Sequence, residues 1–263
     1  MSTQNANTKE LKDGIKLATK ILEGDTPYEQ GRKMIKSLFE HGTNDVVEIS
    51  KCLFMIDTIY STQMDKRYFG IENLATAISQ LQDDVLREND IDKFLNDKRI
   101  EKLFEDKYGI NKSGKKKKAI SLLSKYFYFL RNYNFPIHDS VIITNVNDVL
   151  KHFGFENESI DSEGIAFIKA IADFCKKYQI SIDEFDHFVW LYGKTKGNSL
   201  LPIINYKQYE KFTEYFKAEI SNNSFSLLKQ STIENLKSNQ IITNDISKLL
   251  ELYTKIEIKS KEA

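Results

Sequence analysis

Only 3 prolines and 11 glycines interrupt 263 residues, and that scarcity constrains the fold more than any motif does. Proline removes a backbone donor and fixes φ, while glycine supplies the tight turns that many-stranded sheets need. A chain poor in both favours helices over a succession of short strands. The apolar residues are spaced to match. Ile15, Ala18, Ile21 and Leu22 recur at helical intervals, as one buried face of an amphipathic helix requires. Gly24-Asp25-Thr26-Pro27 breaks that helix, with Thr26 as a cap and Pro27 at the first position of the next helix, which ends near Gly42.

Further helices follow from the same pattern. Val46 to Tyr60 is strongly apolar, through Val46, Val47, Ile49, Leu53, Phe54, Ile56 and Ile59, and reads as a core helix. Leu74, Ala77, Ile78 and Leu81 share one face of a helix over 71–81. Asp83 to Asp106 carries nine acids against five bases and predicts short exposed helices. Ala119 to Leu130 is the best-patterned helix, with Ala119, Leu122, Leu123, Tyr126, Phe127 and Leu130 on one face. The row Tyr126, Phe127, Tyr128, Phe129 cannot all face inward on one helix, so part of it is expected outside. Ile142, Val146, Val149 and Leu150 fit a helix, although Val141-Ile142-Ile143-Thr144 alone would suit a strand. An acidic loop spans Gly154 to Gly164. Two helices, 165–178 and 181–192, come next, the second opening with the capping-box spacing Ser181 to Glu184. The stretches 200–219 and 224–258 read as helical.

Composition bounds the function. A hydrophobic content of 41% with 12% aromatic residues is enough for one good core or two small lobes, and excludes a disordered chain. Cys52 and Cys175 are far apart, form no CxxC pair and read as buried thiols, so a reduced compartment is expected and a cysteine-held zinc or iron–sulfur centre is not. The 4 histidines are scattered and give a metal site little support. No apolar run approaches the ~18 residues of a membrane span. The segment from Met1 to Lys9 is polar and does not read as a signal peptide.

Charge is where the sequence becomes specific. The totals balance, 38 basic against 38 acidic residues, yet no acid occurs between Asp106 and Asp139. That interval holds Lys107, Lys112, Lys115, Lys116, Lys117, Lys118, Lys125 and Arg131. Overall neutrality therefore hides a basic face, and a basic face beside one carboxylate points to a phosphate-bearing polymer. A lysine run is also what an ordinary solvated loop looks like, and Asp139 suits a plain helix N-cap.

Three segments in order carry a resemblance. They are Ile59-Tyr60-Ser61-Thr62-Gln63-Met64-Asp65-Lys66, then Gly114-Lys115-Lys116-Lys117-Lys118-Ala119, then Pro136-Ile137-His138-Asp139-Ser140-Val141. They are similar to the "LLSxQTxD", "GxGxKxA" and "PVDxxV" segments of the helix-hairpin-helix DNA glycosylase superfamily, which contains endonuclease III-like and 8-oxoguanine glycosylase-like enzymes. Phe185 to Lys194 is also similar to bacterial members with the 8-oxoguanine glycosylase-like fold. The likeness covers roughly Val46 to Leu150. Lys118 and Asp139 stand 21 residues apart, close to the superfamily's spacing from hairpin lysine to aspartate. The chain departs from the pattern in having Lys116 at the second hairpin glycine and one extra residue between Pro136 and Asp139.

The resemblance implies an all-α, two-lobed fold over 1–263 with a helix-hairpin-helix element and no iron–sulfur cluster. Residues 46–150 would carry the motifs and 151–263 would complete the other lobe. It implies a bifunctional glycosylase and abasic-site lyase that excises a damaged or modified base from duplex DNA. In that chemistry a carboxylate stabilises a cationic sugar transition state and a neutral lysine attacks C1′ to form a Schiff base. Bringing a lysine from its usual ~10.4 to ~7–8 takes roughly 4 kcal/mol of environmental bias. Lys118 is the preferred nucleophile, with Lys125 on the same helix as the alternative, and Asp139 is the carboxylate. Gln63 is the wedge that fills the gap left by a flipped base. Lys112, Gly114, Lys115, Lys116, Lys117 and Lys125 are the expected DNA contacts. Trp190, Tyr192 and His138 are base-pocket candidates, although core packing is the plainer role for the two aromatics. No cofactor, metal or membrane is expected, and the chain is expected to be a monomeric cytoplasmic protein associated with the nucleoid. The competing readings are a catalytically silent DNA-binding module and a helical protein-interaction module.

Overall fold

The computed structural model describes residues 3–23, 26–40, 45–86, 88–222 and 224–261. Among them the chain is 69% helix and 2% strand, so it is all-α. In chain order the elements are α1 (Thr3–Leu22), α2 (Pro27–Phe39), α3 (Val46–Tyr60), α4 (Gly70–Ser79), α5 (Asp83–Leu86), α6 (Ile91–Leu95) and α7 (Lys98–Glu105). A two-stranded ladder of β1 (Lys107–Tyr108) and β2 (Lys117–Lys118) follows. Then come α8 (Ile120–Leu130), α9 (Ser140–His152), α10 (Gly164–Tyr178), α11 (Ile182–Lys196), α12 (Tyr206–Tyr215), α13 (Lys217–Ser221), α14 (Gln230–Ser238) and α15 (Asn244–Lys261), with a single 3-10 turn at Glu156–Glu158.

The chain forms two compact units. One, the hairpin unit, comprises residues 31–139 and 161–177; the other, the α15 unit, comprises 1–30, 140–160 and 178–263. The segment bearing the three motifs is divided between them, because Asp139 ends one stretch of the hairpin unit and Ser140 begins α9 in the other.

At the centre of the hairpin unit lies α8. Tyr126, Phe127, Tyr128 and Phe129 are all buried, at 0–1% exposure, which corrects the expectation that part of this row faces outward. The reason is that α8 has walls on several sides. Tyr126 meets Phe39, Phe127 meets Phe94 and Phe135, and Phe129 meets Tyr60 and Tyr133, with ring centroids 5.0–6.2 Å apart. A helix enclosed on every side needs no polar face. Each such ring pair adds about 0.5–1.5 kcal/mol beyond its area burial. The same enclosure corrects the acidic stretch 83–106. Its helices are short, but Phe94, Leu95, Ile100, Leu103 and Phe104 are buried in this core and only the charged side faces water.

The α15 unit is built on α1, α9, α11 and α15. The α1 helix begins at Thr3, and Leu11, Ile15, Ala18 and Leu22 form its buried stripe. It packs on α11 and α15 so closely that a Cβ at Gly14 would lie 2.8 Å from Leu252 Cδ2. The Tyr253 hydroxyl of α15 donates to the Phe188 carbonyl of α11 at 2.9 Å. Two long C-terminal helical stretches read from the sequence are instead four helices, α12 to α15, separated by non-helical turns. Local predictions at helix starts fare better. Thr26 accepts a hydrogen bond from the Glu29 amide at 3.3 Å ahead of Pro27, and Ser181 accepts one from the Glu184 amide. Gly24, Asp25 and Gly42, also used in those readings, lie outside the described residues.

Candidate nucleic-acid interface and lysine–aspartate pair

Asp139 sits where the sequence Phe135-Pro136-Ile137-His138 has been docked onto α8. Phe135, Pro136 and Ile137 are all buried, which anchors the segment. The His138 amide donates to Ser124 Oγ at 2.9 Å. Asp139 Oδ2 then accepts from Lys125 Nζ at 3.0 Å, and the same ammonium donates to Ser121 Oγ at 2.8 Å. Ser121, Ser124 and Lys125 are spaced i, i+3, i+4, so one stripe of α8 provides the whole seat. The Lys125 side chain is 1% exposed and that of Asp139 is 21% exposed. Lys125 Nζ also lies 5.7 Å from the Tyr60 ring centroid. A buried ammonium needs this full set of partners, because an unpaired one would cost several kcal/mol.

His138 completes the corner. Its Nε2 accepts from the Gly164 amide at 3.3 Å, at the start of α10, and its ring meets Phe167 edge-on at 5.5 Å. Burial pushes its pKa below the ordinary histidine value, opposed by its own backbone hydrogen bond and reinforced by nearby Lys125. A neutral ring with one accepting nitrogen is what this arrangement holds.

Lys118 is placed differently from its predicted role. The sequence reading has it opening the helix of a helix-hairpin-helix. Here α7 and α8 are joined by a β-hairpin in which Lys107 pairs with Lys118 and Tyr108 with Lys117. The Lys118 ammonium forms an ion pair with Glu105, so the ammonium that reaches Asp139 is that of Lys125. The hairpin turn has a local cause. Asn111 Oδ1 accepts from the Ser113 and Lys115 amides at 3.1 and 2.9 Å, and Gly114 takes a φ of 75°. An Asx-type side chain and a left-handed glycine are a matched pair for closing such a turn. Lys112, Lys115, Lys116 and Lys117 project from it, exposed and without an ion pair among the described residues.

Gln63 lies on a loop that the sequence reading did not explain. Asp57 of α3 is 3% exposed. Its carboxylate accepts from the Met64 and Asp65 amides at 2.9 and 2.8 Å and from the Thr62 hydroxyl. This clamp holds Ser61 and Gln63 at φ 52° and 62°, and leaves Gln63 exposed at the tip. The loop is tied to the hairpin. Arg67 donates to the Lys117 and Lys118 carbonyls at 3.3 and 3.2 Å, and Tyr68 exchanges backbone hydrogen bonds with Ile110. Gly109, at φ 66°, approaches so closely that a Cβ there would lie 2.7 Å from Gly70 Cα. The loop that carries the wedge candidate is therefore fixed to the backbone of the lysine hairpin. Asp57 was legible in principle, as an acid on the buried stripe of an apolar helix. Nothing in the spacing pointed to Arg67.

Trp190 and Tyr192 belong to the α15 unit. Trp190 is half-buried against Tyr28, with centroids 4.6 Å apart, and Lys194 Nζ stands 5.4 Å from its ring centroid. Tyr192 is fully buried. Its hydroxyl donates to Asp148 Oδ2 at 3.2 Å and its ring meets Tyr253. Among the described residues no three histidines, cysteines or carboxylates gather as metal ligands would, and no helix is long and apolar enough to cross a membrane. Comparison with protein-family models, with curated proteins and with solved structures found no match to this chain.

Proposed function

We propose that this chain is a DNA N-glycosylase with abasic-site lyase activity, acting through Lys125 and Asp139. The observation that carries this reading is the Lys125–Asp139 pair, 3.0 Å apart with the lysine side chain enclosed. Proton transfer across that hydrogen bond gives a neutral amine and a neutral acid. The amine lone pair then attacks C1′ of a flipped nucleotide as the C1′–N bond breaks and the base leaves with the proton held by Asp139; a proton of the new C1′ ammonium passes to O4′ as the C1′–O4′ bond opens, giving the Schiff base that precedes strand cleavage. As Asp139 gives its proton to the departing base it becomes ionised, and the carboxylate then stabilises the cationic character at C1′. Lys112, Lys115, Lys116 and Lys117 bind backbone phosphates, and Gln63 on its clamped loop takes the place of the extruded base.

The test is borohydride trapping on duplex oligonucleotides carrying an abasic site, 8-oxoguanine or no lesion. A covalent adduct with wild type and with Lys118→Gln, absent with Lys125→Gln, is expected. An adduct that survives Lys125→Gln would sink the assignment. Asp139→Asn is expected to lower base release by at least ~100-fold, the usual scale for loss of an electrostatic stabiliser.

One observation favours a second reading. At 1% exposure the Lys125 side chain is closed off, as it would be in a structural ion pair of a silent DNA-binding module. That reading gives salt-sensitive duplex binding with no adduct and no released base on any substrate.

A further inference from the structure

Beside the lysine hairpin the surface is aromatic. The helix α3 buries Ile49, Cys52, Leu53 and Ile56 but leaves Val47 and Phe54 exposed, at 62% and 57%. Tyr68 and Phe69 are exposed at 62% and 69%. These four line one shallow groove of about 580 Å³, together with Lys51, Asp65, Arg67 and Glu72 among others. Large exposed rings cost solubility, so several in one groove mark a binding surface. The groove itself carries no surplus of positive charge, since Lys51 is paired with Glu48 at 2.6 Å and Asp65 and Glu72 outnumber Arg67. The uncompensated charge is next door. The Tyr68 backbone is bonded to Ile110 of the hairpin, and Arg67 to the carbonyls of Lys117 and Lys118.

We propose that this groove is a stacking platform for unpaired nucleobases, and that the chain prefers DNA with a single-stranded stretch over continuous duplex. A ligand that is polyanionic on one side and presents flat apolar rings on the other matches lysines beside aromatic rings. Exposed bases of a single strand have those properties, while paired bases keep their faces stacked. The peptide alternative would require an acidic chain with large apolar side chains. A second copy of this chain would bring its own lysine hairpin against this one. Phe69 sits in the left-handed region at φ 56°, so the backbone itself turns its ring outward at the groove's edge.

This inference rests on the nucleic-acid reading above, and the experiment separates the two. Fluorescence anisotropy is measured with labelled oligothymidylate, with blunt duplex of equal length and with the same duplex carrying a single-stranded extension. Phe69→Asn, which suits a left-handed backbone, and Tyr68→Thr are each expected to weaken oligothymidylate and extended-duplex binding roughly ten-fold, the scale of one lost base stack. Blunt-duplex binding should change little, and Tyr206→Ser, an exposed aromatic of the α15 unit, should change nothing. Neutralising Lys115, Lys116 and Lys117 should weaken all three substrates. Wild type that binds duplex but not oligothymidylate would overturn the platform and leave the proposed function standing. Equal losses on every substrate in Phe69→Asn would also overturn it. Binding to none of the DNAs would overturn both. A dimer in sedimentation that Phe69→Asn dissolves, with strand affinity unchanged, would assign the groove to a second copy instead.

Discussion

At the scale of single residues, the Lys125–Asp139 pair is asymmetric, and the asymmetry has a measurable consequence. Lys125 is enclosed while Asp139 still reaches water. Lys125→Met removes the buried charge, keeps most of the volume and leaves a carboxylate that solvent can stabilise. Asp139→Asn leaves the ammonium inside without its counter-ion, at a cost of about 3–5 kcal/mol. Urea denaturation is therefore expected to show Asp139→Asn as the less stable of the two; the reverse order would mean that the pair is not enclosed in solution. His138 and His152 give a pH signature. Burial lowers both below the ordinary 6.5, with Lys259 adding to the effect at His152. The folded chain then binds fewer protons than the unfolded chain, so their contribution is fully present above the unfolded pKa and is lost as pH falls through the folded values. Unfolding free energy should drop between neutrality and about pH 5, before carboxylates dominate, and His138→Gln should flatten part of that slope.

Elements show where function was and was not written locally. The helix starts at Thr26-Pro27 and Ser181 and the apolar residues of α4 and α8 were legible, because capping and periodicity act within a few residues. The lysine that meets Asp139 was not fixed by the spacing. The resemblance preferred Lys118 by its hairpin register and kept Lys125 as the alternative, and the lysine that reaches Asp139 is decided by where the β-hairpin ends and α8 begins. The enclosure of Tyr126 to Phe129 was also invisible, since it depends on rings from α2, α6 and the 133–135 turn. Two variants test the loop–hairpin assembly. Asp57→Asn removes the charge behind three hydrogen bonds at the end of α3 and should cost about 1.5–3 kcal/mol. Amide exchange at Met64 and Asp65 should accelerate more than at Leu53, and uniform acceleration would show that the clamp is only part of the general core. Gly109→Ala puts a Cβ against Gly70 in a left-handed backbone. A loss of about 2–3 kcal/mol is expected in a denaturation curve, and an unchanged midpoint would mean that the hairpin is not docked there.

At the scale of the whole molecule, neither unit is a continuous stretch of chain. Residues 161–177 return to the hairpin unit, where Ile168 is fully buried in its core and Gly164 holds His138. A fragment of residues 31–139 should therefore melt earlier and with a smaller urea m-value than 31–177, and equal m-values would show that α10 is dispensable. Charge also acts globally. The chain has no net charge, so under the proposed function each of Lys112, Lys115, Lys116 and Lys117 that touches a phosphate should remove about one unit of salt slope when neutralised. A slope that stays constant through all four substitutions would place the DNA elsewhere. The interleaved threading has a consequence for synthesis on the ribosome. The hairpin unit has all its parts once residue 177 emerges, but α1 must wait for α11 and α15 to cover Leu11, Ile15, Ala18 and Leu22. Until then α1 carries an uncovered apolar stripe. The nascent chain is thus expected to lean on holding chaperones at α1 until α15 has emerged, and slowing the codons after α10 should lengthen that exposure and lower the soluble yield.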